Sequence, residues 1–198
     1  MKISYNSPVV LSLVLGAVGV YLVDHFLIST FTQEWCTLHG PMRWGDPMAY
    51  IRWFTYILGH GNLDHLMGNM ILILLVGPSL EEKFGHFTFF TMIILTAIIT
   101  ALVQLFIWPN IGLLGASGIA FMFVLLGSFT NVRHGTIPLT FILVAILFLG
   151  KEIMNSFGKD GVSQMAHIIG GVCGGFFGFS RMQVAPTPKL EEDVLPLH

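Results

Sequence analysis

FTFFTMIILTAIITALVQLFIW, residues Phe87 to Trp108, runs without one charged side chain. As a helix rising 1.5 Å per residue it would extend about 33 Å, roughly the thickness of a bilayer's hydrocarbon core. The segment therefore reads as a membrane-spanning helix.

The rest of the chain agrees. Its 198 residues are 54% hydrophobic and 10% charged, with mean hydropathy +0.78, against about 25% charged for ordinary soluble domains. Outward from Phe87–Trp108, further apolar segments run Val9–Ile28, Leu63–Leu80, Leu114–Phe129, Ile137–Ile153 and Ser163–Arg181. Six spans in an all-α integral membrane bundle is the resulting expectation. Lys2 and the run from Val9 to Val23 permit a signal peptide. The run continues to Ile28 without a small-residue cleavage pattern, which favours a first span. A single membrane domain over residues 1–182 is expected, with a polar, disordered tail at 183–198. A net charge of −2 and a pI near 6.4 leave no basic footprint for nucleic acid. The two cysteines, Cys36 and Cys173, lie in a connection and a span and are not expected to pair.

The first connection, Ser29 to Gly61, is long and holds Trp35, Trp44 and Trp53 with Arg43 and Arg52. With Trp108, all the tryptophans fall on one membrane side, so this connection is expected to lie in the interface. Charge bias orients the chain only slightly. With the N-terminus inside, Lys2, Lys83, Arg133, Arg181 and Lys189 are cytoplasmic, whereas Arg43, Arg52 and Lys159 face out.

Spans two, four and six enter from one membrane face, and each carries a polar residue near its start. His65 opens span two, Ser117 opens span four, and His167 lies about a turn into span six, so all fall within roughly 10 Å of one surface. Ser117 sits in Gly115-Ala116-Ser117-Gly118. Glycines allow a sharp turn there, and free N–H groups at a helix start can face a developing oxyanion. A serine N-cap is the plainer reading of the same four residues.

His167 heads a stripe of Gly170, Gly174 and Gly178, a spacing that permits close helix packing. An ionisable group inside a span is costly and points to function. A packing stripe with a satisfied histidine is the alternative. His65 and Asn69 share one face of span two and can both donate hydrogen bonds. They could bridge helices, but beside a nucleophile at the same depth they suit an oxyanion hole. Glu82-Lys83-Phe84-Gly85 reads as a solvated turn with a helix stop. His60, just outside span two, is expected to bond the first connection or water.

Together these residues resemble the rhomboid family of intramembrane serine proteases. The matching pieces are Arg52-Trp53-Phe54-Thr55, His60-x4-His65-x3-Asn69, Glu82-Lys83-Phe84-Gly85, Val103-Gln104, Gly115-x-Ser117-Gly118 and Ala166-His167-x2-Gly170-x3-Gly174. They occur in the family's order, and the span count agrees with its six-helix bacterial form. The resemblance implies Ser117 as nucleophile and His167 as general base, with no third acidic member. His65, Asn69 and the Ser117 N–H would form the oxyanion hole, supported by Gly115, Gly118, Phe121, Gly170 and Gly174. It implies a serine endopeptidase that cuts membrane-spanning protein substrates near the outer face, in a lipid bilayer and without metal or organic cofactor. A multi-pass protein of a bacterial inner membrane with both termini cytoplasmic follows. Oligomeric state is open. Two positions depart from the pattern: Phe121 replaces a tyrosine that stacks on the histidine, and Ile51-Arg52 replaces a Trp-Arg pair. Two rivals stand beside this reading. One is a metal- or haem-binding protein using His60, Asp64, His65 and His167. The other is a non-catalytic relative that binds membrane helices.

Overall fold

A computed structural model describes residues 5–128, 139, 142–143, 146–147 and 161–182. Its helices are α1 (Pro8–Phe26), α2 (Phe31–Trp35), α3 (Pro47–Thr55), a 3-10 turn at Tyr56–Leu58, α4 (Leu63–Phe84), α5 (His86–Ile107), α6 (Ser117–Gly127) and α7 (Gly161–Met182). Among the described residues there is no extended strand, only an isolated bridge between Leu38 and Leu113. The regular structure of the described residues is all-helical, and α1, α4 and α5 are each long and apolar enough to cross a bilayer. The expected count of six is not reached among the described residues. Segment Ile137–Ile153 and the tail 183–198 lie outside them, apart from Leu139, Ile142, Leu143, Ile146 and Leu147, which are helical.

Helix α6 is the centre of the bundle. Gly118 through Phe123, Leu125 and Leu126 are all buried, as expected of a helix apolar on every side. It packs most extensively on α7 and is flanked by α4 and α5. Phe123 meets Phe89 of α5 with ring centroids 4.7 Å apart. Apolar side chains that point away from this core, such as Leu75, Phe87 and Phe106, are more than three-quarters exposed. In water that would be costly; against lipid tails it is not.

Helix α6 starts at Ser117, three residues later than Leu114, where the apolar run begins. Leu113 exchanges both backbone hydrogen bonds with Leu38 of the first connection, each 2.9 Å. Extended pairing and helical backbone exclude one another, so the run is cut. Helix α4, in contrast, continues past Leu80 to Phe84, and Gly85 ends it at φ +77°.

The first connection folds as α2, α3 and the 3-10 turn. The Arg52 guanidinium donates to the Glu34 carbonyl and the Thr55 hydroxyl to that of Trp35, tying α3 to α2. Tyr50, Ile51 and Phe54 are exposed on one side of α3 while Ala49 is buried on the other. Helix α3 is therefore amphipathic.

Glu81, not singled out in the sequence, is fully buried at the far end of α4. One carboxylate oxygen accepts the Val9 N–H at 3.0 Å and the other the Val10 N–H at 2.9 Å. The His86 ring lies 2.6 Å from the first oxygen. These are α1's otherwise orphaned N-terminal donors, and a negative charge also suits that end of the helix dipole. Glu81→Ala strands both donors and should destabilise the bundle by about 3 kcal/mol. Glu81→Gln, keeping one acceptor, should lose less. Reversible unfolding in mixed micelles measures both, and an alanine variant as stable as wild type would refute the clasp.

Candidate active site

The turn before Ser117 needs glycine for two reasons. Gly115 has φ +116°, a region L side chains rarely adopt. A Cβ there would also stand 2.7 Å from His65 Cε1 and 2.9 Å from its Nε2. The Gly115 N–H donates to the Tyr56 carbonyl at 2.9 Å, so the 3-10 turn of the first connection holds this loop from outside. On the other flank the Gln104 amide donates to the carbonyls of Trp108 and Ile111, at 3.2 and 2.9 Å. Ala116 occupies the N-cap, Ser117 is the first helical residue, and no side chain caps the helix. The plain N-cap reading of Ser117 is therefore not realised. Its N–H is among the first donors of α6, which have no helical acceptor.

Helix α4 brings His65 and Asn69. The Asn62 side chain accepts the His65 N–H at 2.8 Å, which caps α4 and fixes His65 in its first turn. Asn69 follows one turn later on the same face and is buried. Its Nδ2 lies 3.9 Å from the point where a Gly115 Cβ would stand, so both side chains border the serine turn.

Helix α7 brings His167. Its ring stacks on Phe121, centroids 4.2 Å apart and planes 3° from parallel. Phe121 lies one turn beyond Ser117, so the histidine sits beside the beginning of α6. The phenylalanine stacks on the histidine in the place where the family pattern has a tyrosine. Glycines make the approach possible. A Cβ on Gly118 would be 3.1 Å from the Ala166 carbonyl, one on Gly170 would overlap the Gly118 carbonyl, and one on Gly174 would overlap that of Met122. The two backbones touch without side chains between them.

The first connection contributes one residue beyond the expected set. His60 Nδ1 is 3.1 Å from the Leu58 carbonyl, the bond to the first connection that the sequence leads one to expect. Its Nε2 is also 3.1 Å from Asn69 Nδ2. The carbonyl can only accept, so Nδ1 carries the proton and Nε2 accepts from the Asn69 amide. Burial pulls the His60 pKa down to about 4, against the opposing pull of the Leu58 carbonyl, so the ring is a neutral acceptor near pH 7. No periodicity relates position 60 to 69, because the backbone leaves helical geometry between them. The motif His60-x4-His65-x3-Asn69 groups these residues in the sequence without saying that His60 and Asn69 touch.

With both nitrogens of His60 engaged, the metal reading loses one of its ligands. Among the described residues no three His, Cys, Asp or Glu side chains converge as a metal site. What converges is a serine at a helix start, an imidazole stacked one turn along the same helix, and an amide and a second imidazole across the turn. Such a set can host acyl transfer: a nucleophile, a base, and donors for a tetrahedral oxyanion.

The family model described as Rhomboid domain matches residues 47–184. The curated protein "Rhomboid-related protein 1" of Caenorhabditis elegans is 35% identical over 155 residues, which cover 71% of this chain and 42% of that protein. The chain thus spans less than half the length of this relative.

Proposed function

Because the chain belongs to the rhomboid family, we propose that it is an intramembrane serine endopeptidase. In this reading Ser117 Oγ attacks a scissile carbonyl while His167 takes its proton. The new oxyanion is met by the Ser117 N–H, the free Asn69 N–H and His65. Collapse breaks the C–N bond, and His167 returns the proton to the leaving amine. Water, deprotonated by His167, then hydrolyses the acyl-enzyme. Substrates are membrane-spanning proteins cut near the face where α4, α6 and α7 begin, which is the outer face when both termini are cytoplasmic. The bacterial inner membrane is the setting the resemblance suggests.

The supporting observation is the placement of Ser117 at an uncapped helix start, with His65 and Asn69 bordering its turn and His167 stacked one turn away. A structural serine requires none of these. The purified chain in detergent should cleave a tagged single-span protein and be phosphonylated at Ser117 Oγ by a fluorophosphonate, with fluoride leaving. A chain that binds the helix but neither cleaves nor labels, beside an active relative that cuts the same protein, would favour the non-catalytic rival.

A further inference from the structure

We propose that His60 is a positioning residue: it touches no reacting atom, but it aims the Asn69 amide at the turn carrying Ser117. The inference rests on the hydrolase reading above and extends it to a residue outside the donor set.

Five contacts carry it. His60 Nε2 accepts one Asn69 N–H, which fixes the amide plane and leaves the second N–H on the side of Gly115. A primary amide is planar, so holding one N–H directs the other. The His60 ring also meets the His65 ring edge-on, centroids 5.0 Å apart at 63°, and so borders both proposed donors. The orientation of His60 is in turn set by the Leu58 carbonyl. Leu58 belongs to the same 3-10 turn whose Tyr56 carbonyl holds the Gly115 N–H. That turn is anchored in the bundle by the Tyr56 hydroxyl, which donates to the Ala97 carbonyl of α5 at 3.1 Å. One three-residue turn therefore registers both halves of the site, the nucleophile loop directly and the amide donor through His60.

Electrostatic stabilisation of an oxyanion depends on donors already aimed before the charge forms. An Asn69 amide free to rotate would still bind water and substrate, but would not be pre-aimed. The loss should therefore appear in kcat rather than KM. His60 is 2% exposed, so replacement could also lower stability; the readout must separate the two effects.

The test uses the full chain in detergent, with active sites titrated by a fluorophosphonate so that turnover is counted per competent serine. His60→Leu should lower kcat per titrated site about 30-fold with KM changed less than about 2-fold. His60→Gln, whose carbonyl oxygen can accept from Asn69, should recover most of that loss. In the Asn69→Ala background His60→Leu should add less than about 2-fold, because the group it aims is gone. Unchanged kcat per titrated site in His60→Leu, a His60→Gln no better than His60→Leu, or full multiplicative losses in the double variant, would overturn the proposal while leaving the hydrolase reading intact. If His60→Leu does not fold, a glutamine variant no better than His60→Ala per site overturns it equally. A wild type that neither labels nor cleaves would remove the hydrolase reading, and this inference with it.

Discussion

Ser117→Ala should abolish cleavage of a membrane-spanning substrate, lowering kcat by about 10⁴-fold or more, with little change in stability. The size follows from chemistry: without Oγ no acyl-enzyme can form, and what remains is donors without a nucleophile. The small effect on stability follows from the position. Ser117 is the first residue of α6 and provides no side-chain cap, so alanine removes no bond that holds the helix. Alanine is also the better helix former. Parallel cleavage assays and unfolding curves separate the outcomes. Undiminished cleavage by the alanine variant would relocate the chemistry; a collapse of stability would revive a structural role for the hydroxyl.

Gly170→Ala should be the most damaging single-methyl change in the described bundle. An added Cβ would lie on the Gly118 carbonyl, with the Gly118 Cα only 3.0 Å away. No flexible side-chain end is available to yield, so α6 and α7 must separate. Overpacking of this kind costs about 3 kcal/mol, at the upper end of what added methyl groups cost in packed cores. Activity should fall further than stability alone requires, because His167 lies one turn before Gly170 and moves away with it. Effective catalysis tolerates little misplacement of a base. Gly174→Ala supplies the contrast. Its Cβ would overlap the Met122 carbonyl and approach Leu125 and Leu126, a turn further from Ser117, so a similar loss of stability should bring a smaller loss of turnover. Gly19→Ala is the control, since nothing lies within 4 Å of its Cβ position. If Gly170→Ala unfolds at the same point as Gly19→Ala and cleaves normally, the close α6–α7 contact is not what the glycines serve.

Both changes act on residues that stand out in the sequence, and the reason is local. A charge-free run long enough to cross a bilayer identifies itself without its partners, as Phe87–Trp108 does. Alternating span direction alone returns the beginnings of the second, fourth and sixth apolar segments to one side, so His65, Ser117 and His167 can be grouped before any packing is known. The glycine spacing from Gly170 to Gly174 likewise declares a close helix contact, though not which helix makes it.

Glu81 shows where this kind of reading stops. It stands next to Glu82 and Lys83 in what looks like a solvated turn, yet it is fully buried and bonded to α1, seventy residues earlier in the chain. The start of α6 is another case. Hydropathy carries the apolar run back to Leu114, and only the pairing of Leu113 with Leu38 shows why the helix waits until Ser117.

Read alone, the sequence leads to a membrane-embedded helical protein and to its family, and it marks candidate residues for chemistry. Hydropathy, helix periodicity and motif order are properties of neighbouring residues, and a bilayer enforces them one segment at a time. The tertiary structure alone decided the partners of the polar groups: Glu81 with the start of α1, His60 with Asn69, and Gly115 with Tyr56. A buried donor or acceptor must find a partner, but its own sequence neighbourhood does not say which one. That choice is made only when the helices pack and a few of the available groups come within hydrogen-bonding distance.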